Sequence, residues 1–226
     1  MALEAKTSSM FAAYLYRIND DSCSTENWQL TLATNTFTAV LLAGGKSRRM
    51  GRDKAYLEVS WQGVSMPLWE RQLAVLQSVA PDEIVISGPR KQGYPAATAV
   101  LADRWAGVGP LGGIATCLHQ IRSTLLLVLA IDLPQIMPGF LMKLLARSEA
   151  RCGVVPFHDN RFEPLIAIYP GAALQVALDQ LRHEDYVLQH FIDKLLQAGF
   201  MNGYDVELSE EHQLENWNTP EDKSFP

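Results

Sequence analysis

The strongest constraint on the fold is an unbroken apolar run, Leu125 to Ile131, that ends directly in Asp132. The run is far shorter than the roughly 20 apolar residues that a membrane-spanning helix needs. It also lacks the polar and apolar alternation of a strand with one solvated face. We therefore expect a strand buried on both faces, as in the centre of a parallel sheet. Such a sheet needs helices on both sides.

From Thr36 onward, short β-branched apolar runs alternate with amphipathic stretches, which predicts an α/β sheet. The fold class that we expect is a Rossmann-like three-layer sandwich with a mostly parallel central sheet. Residues 36–226 are expected to form a single domain, and residues 1–35 a polar, poorly ordered extension. The predicted strands are 36–43, 83–88, 98–103 and 124–132, and the predicted helices are 66–79, 111–121, 138–150, 171–183 and 186–198.

Composition and charge exclude several classes of protein. The formal net charge is -6, which argues against nonspecific nucleic-acid binding, because phosphate-backbone contacts need a broad basic face. Cys23, Cys117 and Cys152 are far apart and lack the paired spacing of a zinc or redox site. We therefore expect a cytoplasmic protein that contacts neither membrane nor nucleic acid, without a secretory signal.

The first predicted strand ends at Gly44 and Gly45, and five basic residues and one acid follow within nine positions. A glycine turn between strand and helix offers backbone N–H groups to phosphate oxygens. The segment is not a Walker loop, because five residues separate Gly45 from Gly51 and Ala55 follows Lys54. It is not a dinucleotide fingerprint either, because Gly44 and Gly45 are adjacent and no third glycine has the required offset. The pattern predicts a phosphate-binding loop of another kind.

Leu42 to Lys54 matches L-A-G-G-x-S-x-R-M-G-x-D-K at every fixed position, and the chain thereby resembles the nucleotidyltransferases. The R-M-G-x-D-K form is similar to that of the MobA-like molybdenum cofactor guanylyltransferases. The resemblance implies a fold of the nucleotide-diphospho-sugar transferase type. It also implies transfer of GMP from GTP to molybdopterin, with release of pyrophosphate. Further family segments are matched in order at 102–114, 130–134, 163–169 and 216–222.

The same resemblance implies roles for individual residues. Arg49 and Lys54 are the expected catalytic cations, and Asp132 is expected to be catalytic and to hold Mg²⁺. Asp132 also follows the most apolar strand, at the edge where ligands collect in open α/β sheets. Lys46, Arg48 and Arg52 occupy variable positions of the motif. The residues expected to contact the substrates are Leu42, Ala43, Gly44, Gly45, Ser47, Met50, Gly51, Lys54, Asp103, Gly109, Asp132, Asn216 and Asn218.

Several of these residues also have a purely structural explanation. Asp132 and Asp103 are typical turn or capping residues, and Gly109 to Gly113 are typical of a loop before a helix. Asn218 or Thr219 is suited to cap a helix with Pro220 in its first turn.

The chain departs from the family pattern in three places. Gly112 stands where relatives carry alanine, a change that is expected to add flexibility and no new chemistry. The sequence "SGPRK" at 87–91 lacks the asparagine that many relatives place near the base. The stretch "VSWQGVSMP" replaces a shorter turn.

The alternatives within the same class are a relative that uses CTP and one that acts on a sugar phosphate. A different class is a non-catalytic protein that binds nucleotide and hands the cofactor to molybdoenzymes. Besides its substrates GTP and molybdopterin, the family resemblance implies transient contact with molybdoenzymes or cofactor-synthesis proteins.

Overall fold

The computed structural model describes residues 36–44 and 53–217. The predicted extension at 1–35, residues 45–52 of the basic motif and residues 218–226 lie outside these ranges, so the predictions that concern them stay predictions. None of the helices in the described ranges has the length and apolar character needed to span a bilayer.

The described residues alternate strands with helices, as the sequence predicts. The strands are β1 (Phe37–Leu42), β2 (Glu58–Trp61), β3 (Val64–Pro67), β4 (Glu83–Ser87), β5 (Ala99–Leu101), β6 (Leu125–Ala130), β7 (Gly153–His158), β8 (Arg161–Phe162), β9 (Ile166–Pro170) and β10 (Met201–Asp205). The helices are α1 (Leu68–Gln77), α2 (Pro110–Gln120), α3 (Pro138–Ala146), α4 (Ala173–Arg182) and α5 (Leu188–Gln197). Two 3-10 helices cover Lys54–Tyr56 and Glu211–Leu214.

The main sheet has the strand order β10-β7-β9-β6-β1-β4-β5, and β8 pairs with β7. Strand β1 is parallel to both β4 and β6, and β4 is parallel to β5. Every residue of β6 is buried, as its sequence predicts. Its second neighbour, β9, runs antiparallel, however, so the expectation of a parallel environment around β6 is wrong on that side. An apolar strand buried on both faces has the same sequence pattern whichever way its neighbours run.

The sheet is covered on both faces, which gives the three layers expected from the sequence. On one face, Val40, Leu42 and Val128 pack in a core with residues of α2, α4 and α5, including Ile114 and Phe191. Helix α1 contacts β1 and β4, and α3 contacts β7 and β9, so these two helices cover the other face. This double coverage is the reason that β6 is apolar along its whole length and β1 at every position but Thr38.

The unusually long stretch before α1 folds as a β2–β3 hairpin, which the sequence analysis did not predict. Its two-residue turn is Gln62-Gly63, and both residues have positive φ values, of 52° and 79°. Turns of this kind match the right-handed twist of paired strands. Asn-Gly or Asp-Gly would have predicted the hairpin, whereas Gln-Gly is a weaker signal.

Both cysteines in the described ranges, Cys117 and Cys152, are free thiols. Burial raises the pKa of the Cys117 thiol to about 12, so it stays protonated and packs as a small apolar side chain. This agrees with the absence of a paired-cysteine pattern in the sequence.

The glycine at position 112 is required by close packing. A Cβ atom at Gly112 would overlap the backbone oxygen of Trp105 and would lie 2.7 Å from Val108 Cγ2. Gly112 is in the first turn of α2, and the segment before the helix folds back against it. The departure from alanine therefore lets the 105–108 segment approach the helix, and the expectation that it only adds flexibility is wrong.

We predict that Gly112→Ala lowers the free energy of unfolding by about 1–3 kcal/mol, because the added methyl group forces the 105–108 backbone away from α2. Chemical denaturation followed by circular dichroism measures the change. Gly203→Ala is the matched control, since its Cβ would lie 3.7 Å from Phe162 Cε1, an ordinary contact. Equal stability of the two variants would contradict the packing explanation.

Candidate active site

Four parallel strands end at one edge of the sheet, and the predicted site residues follow those ends. Gly44 lies two residues after β1, Asp103 two residues after β5, and Asp132 two residues after β6. The register places Leu42 opposite both Ser87 of β4 and Ala130 of β6. The chain therefore leaves all these strands at the same level, and their following residues share one edge.

The exit from β1 is fixed by its two neighbours. The Ile131 amide donates to the Leu42 carbonyl at 3.1 Å, and the Ala43 amide donates to the Ser87 carbonyl at 3.0 Å. Gly88 has a φ of 128°, and a Cβ there would lie 2.8 Å from the Gly44 nitrogen. The close contact of these two glycine backbones brings the end of β4 directly against the start of the basic motif.

Asp103 is held at this edge by a neighbouring strand. The Ser87 hydroxyl donates to Asp103 Oδ1 at 3.1 Å, and Asp103 Oδ2 lies 3.8 Å from the place a Cβ of Gly44 would occupy. Gly109 is the N-cap of α2, and Pro110 begins the helix. Gly113 brings the first turn of α2 against Ser87 and Asp103. The structure thus brings Asp103 to the end of β1, while Gly109 lies in an exposed turn.

Lys54 and Asp132 form an ion pair, with 3.5 Å between Lys54 Nζ and Asp132 Oδ2. The two side chains are 15% and 24% exposed, so the pair is shielded yet accessible. Lys54 begins the 3-10 helix that ends the basic motif, and Asp53 caps this helix by accepting from the Ala55 amide at 3.0 Å. Two residues that are 78 positions apart in sequence are therefore brought together, as the resemblance implied.

The backbone around Asp132 is held by buried side chains of α1. Gln72 Nε2 donates to the Leu133 carbonyl at 2.8 Å and to the Ala130 carbonyl at 3.4 Å. Arg71 Nη1 donates to Gln72 Oε1, and its Nη2 donates to the Ile136 carbonyl at 2.9 Å. Burial lowers the pKa of the Arg71 guanidinium to about 10, so it remains protonated at neutral pH. These contacts fix the position of the loop that carries Asp132.

Residues 215–217 bind the loop that carries Asp132 on the side away from α1. The Trp217 amide donates to the Asp132 carbonyl at 2.9 Å, and Gln135 Nε2 donates to Glu215 Oε2 at 2.7 Å. Asn216 lies between these contacts and is exposed. The predicted Asn216 is therefore brought next to Asp132.

The segment that leads into β9 adds a further carboxylate, that of Glu163, to this edge. Because β9 is antiparallel to β6, it starts where β6 ends, and the Ala130 amide donates to the Leu165 carbonyl at 2.8 Å. Burial raises the pKa of Glu163, and the nearby Asp132 raises it further, while Arg161 and His158 oppose the shift. The buried Tyr169 hydroxyl donates to the Pro164 carbonyl at 2.7 Å. Tyr169, the last residue of the matched family segment 163–169, therefore holds the turn that carries Glu163.

Comparison with known proteins identifies the family to which the chain belongs. The family model described as MobA-like NTP transferase domain matches residues 39–199. The chain belongs to this family. It is 33% identical over 193 residues to a probable molybdenum cofactor guanylyltransferase of Opitutus terrae, which covers 84% of this chain and 94% of the relative. It is 34% identical over 197 residues to a molybdenum cofactor guanylyltransferase of Xanthomonas euvesicatoria pv. vesicatoria, covering 82% and 91%.

The solved structures agree with this MobA-like assignment. The molybdopterin-guanine dinucleotide biosynthesis protein A of Archaeoglobus fulgidus superposes with a TM-score of 0.64 at 27% identity. The match covers 83% of this chain and 94% of that one. Its agreement in fold and sequence supports the nucleotidyltransferase fold that the motifs predicted.

The donor atoms of this NTP transferase suit a divalent metal that is held mainly by its substrate. Within residues 36–44 and 53–217, no group of three or more His, Cys, Asp or Glu side chains converges as a metal cage would require. Asp132 offers a partly exposed carboxylate beside the end of the basic motif. One or two carboxylates completed by phosphate oxygens and water are the usual ligands of Mg²⁺. The residues present therefore fit such an ion.

Of the residues predicted to contact the substrates, the described ranges contain Leu42, Ala43, Gly44, Lys54, Asp103, Gly109, Asp132 and Asn216. The predicted residues outside the described ranges are Gly45, Ser47, Arg49, Met50, Gly51 and Asn218, and their roles stay predictions. The sequence analysis missed Arg71, Gln72 and Ser87. A signal for Gln72 exists, because it lies on the same helix face as Trp69, Leu73 and Leu76, which are buried.

We predict that Gln72→Ala lowers the free energy of unfolding by about 1–3 kcal/mol, because it leaves buried backbone carbonyls without a donor. Thermal or urea unfolding measures the loss. Gln77→Ala is the control on the same helix, and we expect a change within about 0.5 kcal/mol because Gln77 is exposed. A Gln72 variant as stable as the control would contradict the proposed anchoring of the Asp132 loop.

Proposed function

We propose that this protein transfers GMP from GTP to the phosphate of molybdopterin and forms molybdopterin guanine dinucleotide. The observation that carries the proposal is the match, over nearly their whole length, to relatives named molybdenum cofactor guanylyltransferase. The pairing of Lys54 with Asp132 beside the end of the basic motif supports it.

The reaction is an in-line substitution at the α-phosphorus of GTP. A phosphate oxygen of molybdopterin forms a bond to that phosphorus, and the bond to the bridging oxygen of the β-phosphate breaks. The electron pair of the broken bond leaves with pyrophosphate. Because two polyanions must meet, the protein mainly has to orient the reactants and offset their charge.

Basic side chains and backbone amides supply the positive charge. Lys54 Nζ lies beside Asp132 at the edge where β1 and β6 end, and it would contact the triphosphate there. Arg49 is proposed as its partner from its fixed position in the motif, with Gly44, Gly45, Ser47 and Gly51 as backbone donors. These groups stabilise the charge that develops on the departing pyrophosphate.

The carboxylate of Asp132 would hold Mg²⁺ together with oxygens of the bound triphosphate. When bound, the ion would neutralise phosphate charge and polarise the reacting phosphoryl group. Gln72 and Trp217 hold the Asp132 backbone from two sides, so its carboxylate is presented from a fixed position. Asp103 and Asn216 are proposed as further contacts of the nucleotide and of the second substrate. The proposal places the reaction in the cytoplasm.

The preference of the protein among nucleotides tests whether GTP is its substrate. We expect GTP with magnesium to raise the melting temperature more than CTP or ATP does. A ligand at a hundredfold excess over its Kd adds about 2.7 kcal/mol of stability. Thermal-shift titrations with each nucleotide, with and without magnesium, measure the preference.

The outcomes of this titration separate the alternatives. A larger shift with CTP would favour a cytidylyltransferase and contradict the guanylyl assignment. A shift with GTP but no pyrophosphate release in the presence of molybdopterin would indicate a non-catalytic cofactor carrier.

A variant of Asp132 tests the proposed metal ligand. We predict that Asp132→Ala abolishes GMP transfer and leaves the melting temperature near that of the wild type, because its carboxylate is partly exposed. Pyrophosphate release at saturating GTP and magnesium measures activity. Asp205→Ala, which removes an exposed carboxylate from the edge strand β10, is the control. Wild-type turnover by Asp132→Ala would show that the metal binds elsewhere.

A further inference from the structure

Lys91 makes contacts that the family motifs do not explain. It lies in the loop between β4 and β5, within the "SGPRK" stretch that departs from the family pattern. Its Nζ lies 2.8 Å from both carboxylate oxygens of Asp53 and donates to the Ala43 carbonyl at 3.3 Å. The Lys91 side chain is only 12% exposed. An ammonium group has three N–H donors, and here three protein oxygens surround it.

Lys91 has one partner near the start of the basic motif, residues 42–54, and one near its end. Ala43 precedes Gly44 and Gly45, and Asp53 precedes Lys54. A single ammonium group therefore ties the start of the motif to its end. The chain between these two points contains the residues proposed to bind the triphosphate.

The loop that carries Lys91 packs against the end of the motif at further points. The Tyr56 hydroxyl donates to the Gln92 carbonyl at 2.9 Å. Tyr94 is buried and packs edge-on against Trp69 of α1, with 5.3 Å between the ring centroids. These contacts anchor the loop directly after Lys91, to the 3-10 helix and to α1, and help to hold its side chain in place.

Asp53 connects Lys91 to Lys54, the proposed catalytic lysine. Its Oδ1 accepts from Lys91 and also from the Ala55 amide, so it caps the 3-10 helix that starts at Lys54. The Lys54 side chain then reaches Asp132. Lys91 is thus linked through Asp53 to the ion pair at the centre of the proposed site.

We propose that Lys91 is a positioning residue that fixes the spacing between the two ends of the basic motif for nucleotide binding. This inference rests on the proposed function, since it concerns the same nucleotide site. Lys91 acts through Ala43 and Asp53 rather than on the phosphates, because protein oxygens occupy its donors. The stretch that departs from the family pattern therefore supports the basic motif from outside.

A double-variant cycle of Lys91→Met and Asp53→Asn tests the proposal. Asparagine retains the side-chain oxygen that caps the helix and removes the charge that pairs with Lys91. We expect each single variant to raise the Kd of GTP about tenfold, within the range of coupling between residues in direct contact. The double variant should lose little more than either single variant. Isothermal titration below the melting temperature of every variant measures the Kd.

Steady-state kinetics separate a positioning role of Lys91 from a general loss of protein stability. We expect Lys91→Met to raise the KM for GTP more than it lowers kcat, because preorganised binding is lost while the reacting groups are intact. Lys91→Arg should restore most of the affinity, since a guanidinium can bind a carboxylate through two N–H groups. The control is Arg90→Met, because Arg90 is exposed and donates only to Pro95 and Thr98 carbonyls of its own loop among the described residues.

The results that overturn the inference are distinct from those that overturn the proposed function. Additive losses in the double variant, or an unchanged Kd in Lys91→Met, would overturn the positioning role. The proposed function is judged on the wild type alone, by its nucleotide preference and pyrophosphate release. If the wild type preferred CTP or ATP, the cycle would be measured with that nucleotide. A wild type that bound none of the three would overturn both proposals.

Discussion

The parallel pairing of β1 with β4 on one side and with β6 on the other is the constraint on which the site depends. Its register sets Leu42 level with Ser87 and Ala130. Both faces of β1 are buried, so a shift by one residue would exchange its side chains between the two packed faces and disrupt the packing of each. Because β5 pairs in register with β4 and ends at the same level, a glycine turn after β1, Asp103 after β5 and Asp132 after β6 reach one small region without long loops.

Much of the polar hydrogen bonding at this edge holds backbone in place. Gln72 is fully buried and bonds carbonyls on both sides of Asp132, and Arg71 extends the same network to Ile136. Buried polar groups are costly unless they are hydrogen-bonded, and here each bonds a carbonyl of the β6 end or of the loop that follows it. The side chains that would contact substrate lie in the exposed parts of the site. The molecule thus separates the groups that fix the geometry from those that would carry the chemistry.

The sequence predicted all five α-helices and four of the ten strands found in the described residues, because apolar runs or helical periodicity mark them clearly, as in β1, β6 and α1. The family resemblance also assigned Lys54 and Asp132 to one site, since each belongs to a specific motif. The antiparallel direction of β9 was not predictable, because a fully buried strand carries no signal of its neighbours' direction.

Long-range polar contacts escaped prediction for a different reason. Lys91 and Asp53 are 38 positions apart, and neither belongs to a pattern that specifies the other. The role of Gly112 was misjudged because its close contact is with the backbone of the preceding turn. The identities of the residues in that turn do not indicate such a contact. In contrast, the glycines of the motif were recognised because their spacing is itself the signal.

The hydrogen bond from the Trp217 amide to the Asp132 carbonyl makes the C-terminal segment a reporter of the site. An amide that bonds a carbonyl in another segment exchanges its hydrogen with solvent only when the two separate. Deuterium uptake at Trp217 therefore measures how often the C-terminal segment opens away from Asp132. It does so in the absence of substrate, and a change on addition of nucleotide would show that occupancy of the site is coupled to closure of this segment.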